Sequence, residues 1–104
     1  MWEAVCPVDD NHSPVVYESQ DARSLVILNA GPDTICACAW DNIPKKKINI
    51  KKASSDNIDK FDYDSDYKFT IDPGIQRIVS GRMILVYIIK PEHKFAAIAF
   101  RILK

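Results

Sequence analysis

No apolar run in this chain approaches the roughly 18 residues that a membrane-crossing helix needs. No basic segment followed by a long apolar stretch opens it either. Met1-Trp2-Glu3-Ala4 runs directly into a segment holding Pro7, Asp9 and Asp10, so no secretory leader is expected, and synthesis in the cytoplasm is. An excess of one charge is missing: 14 Lys and Arg balance 14 Asp and Glu. Such a chain has no global field to draw in nucleic acid or an anionic membrane. A net charge of zero also removes one barrier to self-association. Cysteine is scarce and odd in number, at three, which argues against a closed disulfide framework and for a reducing compartment. No amphipathic helical pattern runs longer than two turns, and there is no internal repeat or low-complexity tract.

Catalytic signatures are equally sparse. Ser, His and Asp all occur, but no serine sits in a nucleophile elbow and no glycine-rich loop is present to cradle phosphate. The two histidines, His12 and His93, both fall in expected loops near proline. The reading is of a non-enzymatic protein without a cofactor.

What the chain does have is β-pattern. Met83-Ile84-Leu85-Val86-Tyr87-Ile88-Ile89 is seven apolar residues between Arg82 and Lys90, rich in β-branched and aromatic types. As a strand it is apolar on both faces, so it belongs in the middle of a sheet, with Ile84, Val86 and Ile88 nearly inaccessible. Residues 95–103 read as a second strand of this kind. Residues 25–28 and 34–40 read as a hairpin around Gly31-Pro32-Asp33. Residues 15–17 suggest a short edge strand, with a turn at Asp21-Ala22-Arg23. Residues 45–53 alternate around Ile48 and Ile50 among five lysines, a common way to blunt a sheet edge. Residues 67–71 alternate again. Asp72-Pro73-Gly74 has the proline and glycine of a type II turn, and Ser80-Gly81 suggests another tight turn between a strand at 75–79 and the central run. At 104 residues one domain is expected: an irregular arm over 1–13, then an all-β antiparallel β-sandwich over 14–104, immunoglobulin-like or jelly-roll-like, of seven to eight short strands.

Four clusters invite a chemical reading. Cys36-Ala37-Cys38 puts two thiols on one face of a strand, roughly 6.5 Å apart by strand rise, a poor span for a disulfide. With only two histidines in the chain a four-ligand zinc site is not expected, and both thiols read as small core side chains. Asp62-Tyr63-Asp64-Ser65-Asp66 places Asp62, Asp64 and Asp66 at the alternate positions of a calcium loop. The loop's sixth position is Tyr67 instead of Gly, however, and its twelfth is Pro73 instead of Glu, so no metal is expected. Lys45, Lys46, Lys47, Lys51 and Lys52 lack the interleaved aromatics that stack on bases, which argues against nucleic acid. Trp2, Tyr87 and Phe100 are the candidate contacts for a protein partner.

The order of turn signals carries a resemblance. A strand ending in Asn29-Ala30-Gly31-Pro32-Asp33, then Thr34-Ile35-Cys36-Ala37-Cys38-Ala39-Trp40, the Asp72-Pro73-Gly74 turn, Val79-Ser80-Gly81 and Ile84-Leu85-Val86 resembles small β-sandwich proteins of tailed-phage virions, of the head-decoration and fibre-attachment kinds. The resemblance implies a structural, non-catalytic virion component that acts through contacts with protein subunits, with a homo-oligomer expected. The alternative is a sandwich module that binds carbohydrate or protein, calcium-assisted, through Trp2, Trp40, Tyr63 and Tyr67.

Overall fold

The run from Met83 to Ile89 takes the central place its composition demands. The computed structural model describes residues 4–9, 15–43, 65–90 and 92–103. They form six strands: β1 (Ala4–Asp9), β2 (Val15–Pro32), β3 (Thr34–Trp40), β4 (Tyr67–Ile71), β5 (Gln76–Lys90) and β6 (Phe95–Leu103). All are antiparallel and belong to one sheet in the order β1-β6-β2-β5-β3-β4, with no helix among the described residues. Ile84, Val86 and Ile88 are 1%, 3% and 4% exposed, and Met83, Leu85 and Tyr87 on the opposite face are buried too.

The described residues hold six strands, and two pairs expected to be separate are each continuous. β2 runs for 18 residues through Asp21-Ala22-Arg23, and β5 for 15 through Ser80-Gly81. Neither segment reverses the chain. Val15 to Glu18 pair with Val86 to Met83, and Ser24 to Leu28 pair with Ser80 to Gln76, with the register broken between. The extra residues of β2 at that break let both strands turn a corner together, as irregularities in a ladder do. One half of the sheet is then β4, β3, the end of β5 and the start of β2. The other is the start of β5, the end of β2, β6 and β1.

The two halves share an interior. Val15, Tyr17, Ile84 and Val86 from one meet Leu25, Ile27, Ile98 and Phe100 from the other around an apolar void of about 20 Å³. Its lining is almost wholly apolar and offers a water few partners. Tyr17 and Phe100 close one side edge to face, with centroids 6.3 Å apart at 65°.

Glycine at position 81 serves the corner, not a turn. A Cβ there would lie 2.7 Å from the carbonyl oxygen of Trp40, closer than real Cβ atoms come. Gly81→Ala is therefore expected to cost about 1–3 kcal/mol by overpacking. In thermal unfolding it should lower Tm by roughly 5–15 °C for a domain of this size. An unchanged Tm would show that the two backbones are free to separate.

The expected hairpin around Gly31-Pro32-Asp33 does not form. The end of β2 pairs with β6 and β5, and β3 pairs with β4 and β5. The Asp33 N–H donates to the Phe95 carbonyl at 3.1 Å, which extends the β2–β6 ladder past Pro32 before the chain crosses to the other half. Turn residues mark where a chain changes direction, and here the change carries it across to the other half of the sheet. By contrast, Asp72-Pro73-Gly74 forms the turn its residues specify. Ile75 N–H donates to Asp72 O at 3.1 Å, and Gly74 has φ +84°, as the third position of a type II turn requires. At the N-terminal end, residues 4–9 are not an irregular arm. They form the edge strand β1, paired with β6 from Ala4↔Phe100 to Asp9↔Phe95. The lysine-rich strand expected over 45–53 lies outside the described residues.

Candidate functional site

Asn29, Asp33 and His93 form a polar cluster where the β2–β3 crossing meets the β5–β6 turn. Asn29 is fully buried. Its Nδ2 donates to the carbonyls of Asp33 at 2.8 Å and Ile71 at 2.9 Å, and its Oδ1 accepts the Gly31 N–H at 2.7 Å. Its backbone N–H donates to Ile75 O and its carbonyl accepts from the Gly74 N–H, so one residue ties the crossing to the β4–β5 turn. The side chain of Asp33 is 1% exposed. Its carboxylate accepts the backbone N–H of His93 at 2.9 and 3.2 Å and that of Phe95 at 2.9 Å, and it meets His93 Nδ1 at 3.1 Å.

Burial alone would raise the Asp33 carboxyl. The backbone N–H groups of His93 and Phe95, with the His93 ring, outweigh it and hold the group below the ordinary carboxylate range. A carboxyl whose folded pKa is depressed adds stability above its unfolded pKa near 4, and that stability is lost as pH falls through the folded value. Urea unfolding of the wild type should therefore weaken from pH 5 downward. Asp33→Asn should be about 1–3 kcal/mol less stable at pH 7, and the gap should narrow in acid. A gap that stays constant down to pH 3 would show that the charge contributes nothing. His93 itself is mostly exposed, its side chain at 60%. Its ring meets the Asp33 carboxylate, and the pair reads as a capped turn.

The outer face of the β3 half carries the thiols. The pairing sets Cys36 in a row between Tyr87 and Thr70, and Cys38 in the next row between Leu85 and Lys68. Both are free thiols, 2% and 0% exposed. The neighbouring Cys38 thiol, against the opposing effect of burial and with help from Tyr87, the Lys68 charge and the Phe69 backbone, holds the Cys36 thiol below the ordinary cysteine range. Cys38 is pushed up, first by its pairing with Cys36 and then by burial.

The outer faces of the two halves differ. Trp40, Met83, Leu85 and Tyr87, on the outer side of the β3 half, are buried. On the other half Val26 is buried, but Ile78, Leu103 and Val5 are 58%, 37% and 72% exposed. Val26 lies opposite Ile78 and Arg101, and Val5 opposite Ala99, so these residues share one face. A shallow groove of about 470 Å³ runs along it between Val26, Ile78, Leu103, Gln76 and the arginines 77 and 101. A second groove of about 230 Å³ joins it at Ile78. Tyr67, Phe69, Asp41 and Ser80 line this one, and the Tyr67 hydroxyl donates to Asp41 Oδ2 at 3.4 Å. The Arg77 guanidinium sits 4.3 Å from the centre of the Phe69 ring, a cation–π contact.

The residues singled out from sequence are dispersed. Tyr87 is 4% exposed and Phe100 is half-buried against Tyr17, so neither offers much surface to a partner. Trp40, 5% exposed, is closed to a ligand, whereas Tyr67 is 47% exposed. Asp66 is engaged: its Oδ2 accepts the Asp41 N–H at 2.8 Å and pins the end of β3 to the start of β4. Trp2, Tyr63, Asp62 and Asp64 lie outside the described residues, as do the lysines at 45, 46, 47, 51 and 52. Among the described residues no three His, Cys, Asp or Glu side chains gather as metal ligands, and no helix is long and apolar enough to cross a membrane. Asn29 and Asp33 escaped the sequence reading because Asn-Ala-Gly-Pro-Asp looks like turn chemistry. The available signal was two side-chain acceptors flanking a Gly-Pro pair. Comparison of the chain with family models, curated proteins and solved structures gave no match.

Proposed function

We propose that this protein is a non-enzymatic structural component that assembles with copies of itself or with subunits of a larger particle, a virion accessory protein of the decoration or fibre type being the best fit. The doubled sheet would then serve as a β-sandwich module. The observation that carries this reading is the bare outer face of the β1–β6–β2–β5 half. Ile78 and Leu103 stand exposed beside one groove, with Val5 exposed farther along the same face, and apolar surface gathered on one face is what soluble monomers rarely leave open. The face with Met83, Leu85 and Tyr87 needs no second subunit, because it is buried within one chain. A net charge of zero means that no global repulsion opposes the approach of a second copy.

Sedimentation of the purified chain tests the proposal. A species heavier than 11.8 kDa is expected, and Ile78→Glu should convert it to monomer without changing its circular dichroism. A clean monomer at high micromolar concentration, with no partner recovered from the native source, would overturn it. The Tyr67 groove favours a second reading, a carbohydrate-binding module, since a half-exposed ring beside a carboxylate and a hydroxyl is suited to a sugar. A glycan array with and without calcium, repeated on Tyr67→Ala, distinguishes the two.

A further inference from the structure

We infer that the groove around Val26, Ile78 and Leu103 receives the acidic stretch of a second copy of this chain, residues 54–64, so that copies join head to tail. The inference rests on the assembly reading above and names its contact. The groove comes first. Val26 sits between Ile78 of β5 and Arg101 of β6 in the paired rows. Arg77 lines the same groove of about 470 Å³, and its guanidinium is held 4.3 Å from the centre of the Phe69 ring. Both arginines are exposed, as are Ile78 and Leu103. Apolar side chains set beside guanidinium groups suit a segment that interleaves apolar residues with carboxylates. The apolar residues fill the groove, and the carboxylates meet the planar forks of arginine.

The chain's own sequence contains such a segment. Ser54-Ser55-Asp56-Asn57-Ile58-Asp59-Lys60-Phe61-Asp62-Tyr63-Asp64 carries four aspartates against one lysine, with Ile58, Phe61 and Tyr63 set among them. Aromatic rings are common anchors at interfaces. The structure anchors both flanks of this part of the chain at one place, since Asp66 Oδ2 accepts the Asp41 N–H at 2.8 Å. The occupant comes from another copy because the groove stands open within one chain, with Ile78 58% exposed. Two identical grooves laid face to face would bring like charges together, which electrostatic complementarity disfavours. Groove against acidic stretch matches opposite charges instead. Such a contact is heterologous: each copy keeps a groove and a stretch to offer, so assembly continues past two unless it closes into a ring.

The test uses a labelled synthetic peptide of residues 54–64 and the full-length chain. Fluorescence polarisation should show binding that weakens as salt rises from about 0.05 to 0.5 M. Excess peptide should dissociate the heavier species to the 11.8 kDa chain in sedimentation. Arg77→Glu and Arg101→Glu should each weaken peptide binding by about tenfold or more, with folding checked by circular dichroism. A peptide carrying Asp59→Asn, Asp62→Asn and Asp64→Asn should fail to bind, a loss that no change in the folded chain can explain. Full-length Arg101→Glu and Asp62→Arg chains, each monomeric alone, should form a dimer when mixed, since one keeps the stretch and the other the groove. A peptide that does not bind, or an asparagine version that binds as well, overturns the inference. A chain that stays heavier than 11.8 kDa in excess peptide also overturns it, while the assembly reading stands through another surface. A wild type that is monomeric at high micromolar concentration overturns both.

Discussion

Asn29→Ala should lower the unfolding free energy by about 3–5 kcal/mol. The estimate follows from stranding three backbone groups, the carbonyls of Asp33 and Ile71 and the N–H of Gly31, at roughly 1–3 kcal/mol each with partial relaxation. Size alone does not explain the requirement. Asn29→Asp keeps the shape but turns a carboxylate toward two carbonyl oxygens, so it should not rescue the loss at neutral pH. Urea unfolding of both variants measures this. Full stability in Asn29→Asp would mean that the Nδ2 bonds are dispensable. The size of the effect reflects position, since this residue joins the crossing to the β4–β5 turn and so holds the two halves of the sheet in register.

Leu85→Ala comes next, at about 2–5 kcal/mol. Leu85 is fully buried on the outer side of the central strand, with Cys38 beside it on β3 and Val16 beside it on β2. Truncation leaves a void between two strands that a ladder of hydrogen bonds keeps from collapsing. The denaturant midpoint should fall with an unchanged slope. A loss under 1 kcal/mol would mean that this face is held more loosely than its burial implies.

These two positions also mark the limits of reading the sequence. Leu85 was legible, because seven apolar residues in a row admit few arrangements other than a strand covered on both faces. The strand at 95–103 and the Asp72-Pro73-Gly74 turn were legible for similar local reasons: pattern period in one, fixed φ and positive φ in the other. Asn29 was not legible, since its partners are residues 31, 33 and 71, and Ile71 is brought to it only by the fold. The continuity of β2 through Asp21-Ala22-Arg23 was hidden for a related reason. Polar residues at a corner and polar residues at a reversal look alike until the pairing partners are known. Gly81 was misread as a turn residue because glycine answers two different needs, positive φ and close backbone approach, and composition does not separate them. The bare outer face had no signal of its own. Ile78 is one apolar residue among many, and only the strand order shows that nothing described lies over it.

The pairing of β1 with β6 has a kinetic consequence. The strand made earliest among those described has, as its sheet neighbour, the one made latest. Val5 and Cys6 find Ala99 and Ile98 only after some ninety intervening residues have been synthesised. Loop closure over such a distance comes before any reward from the contact, which places this topology among slow folders, in the range of milliseconds to seconds. Until β6 arrives, β1 waits as an unpaired strand with Val8, fully buried in the finished fold, uncovered. The end of β2, whose neighbour on that side is also β6, presents a bare row of N–H and C=O groups. On a ribosome these two segments are where a chaperone would find this chain.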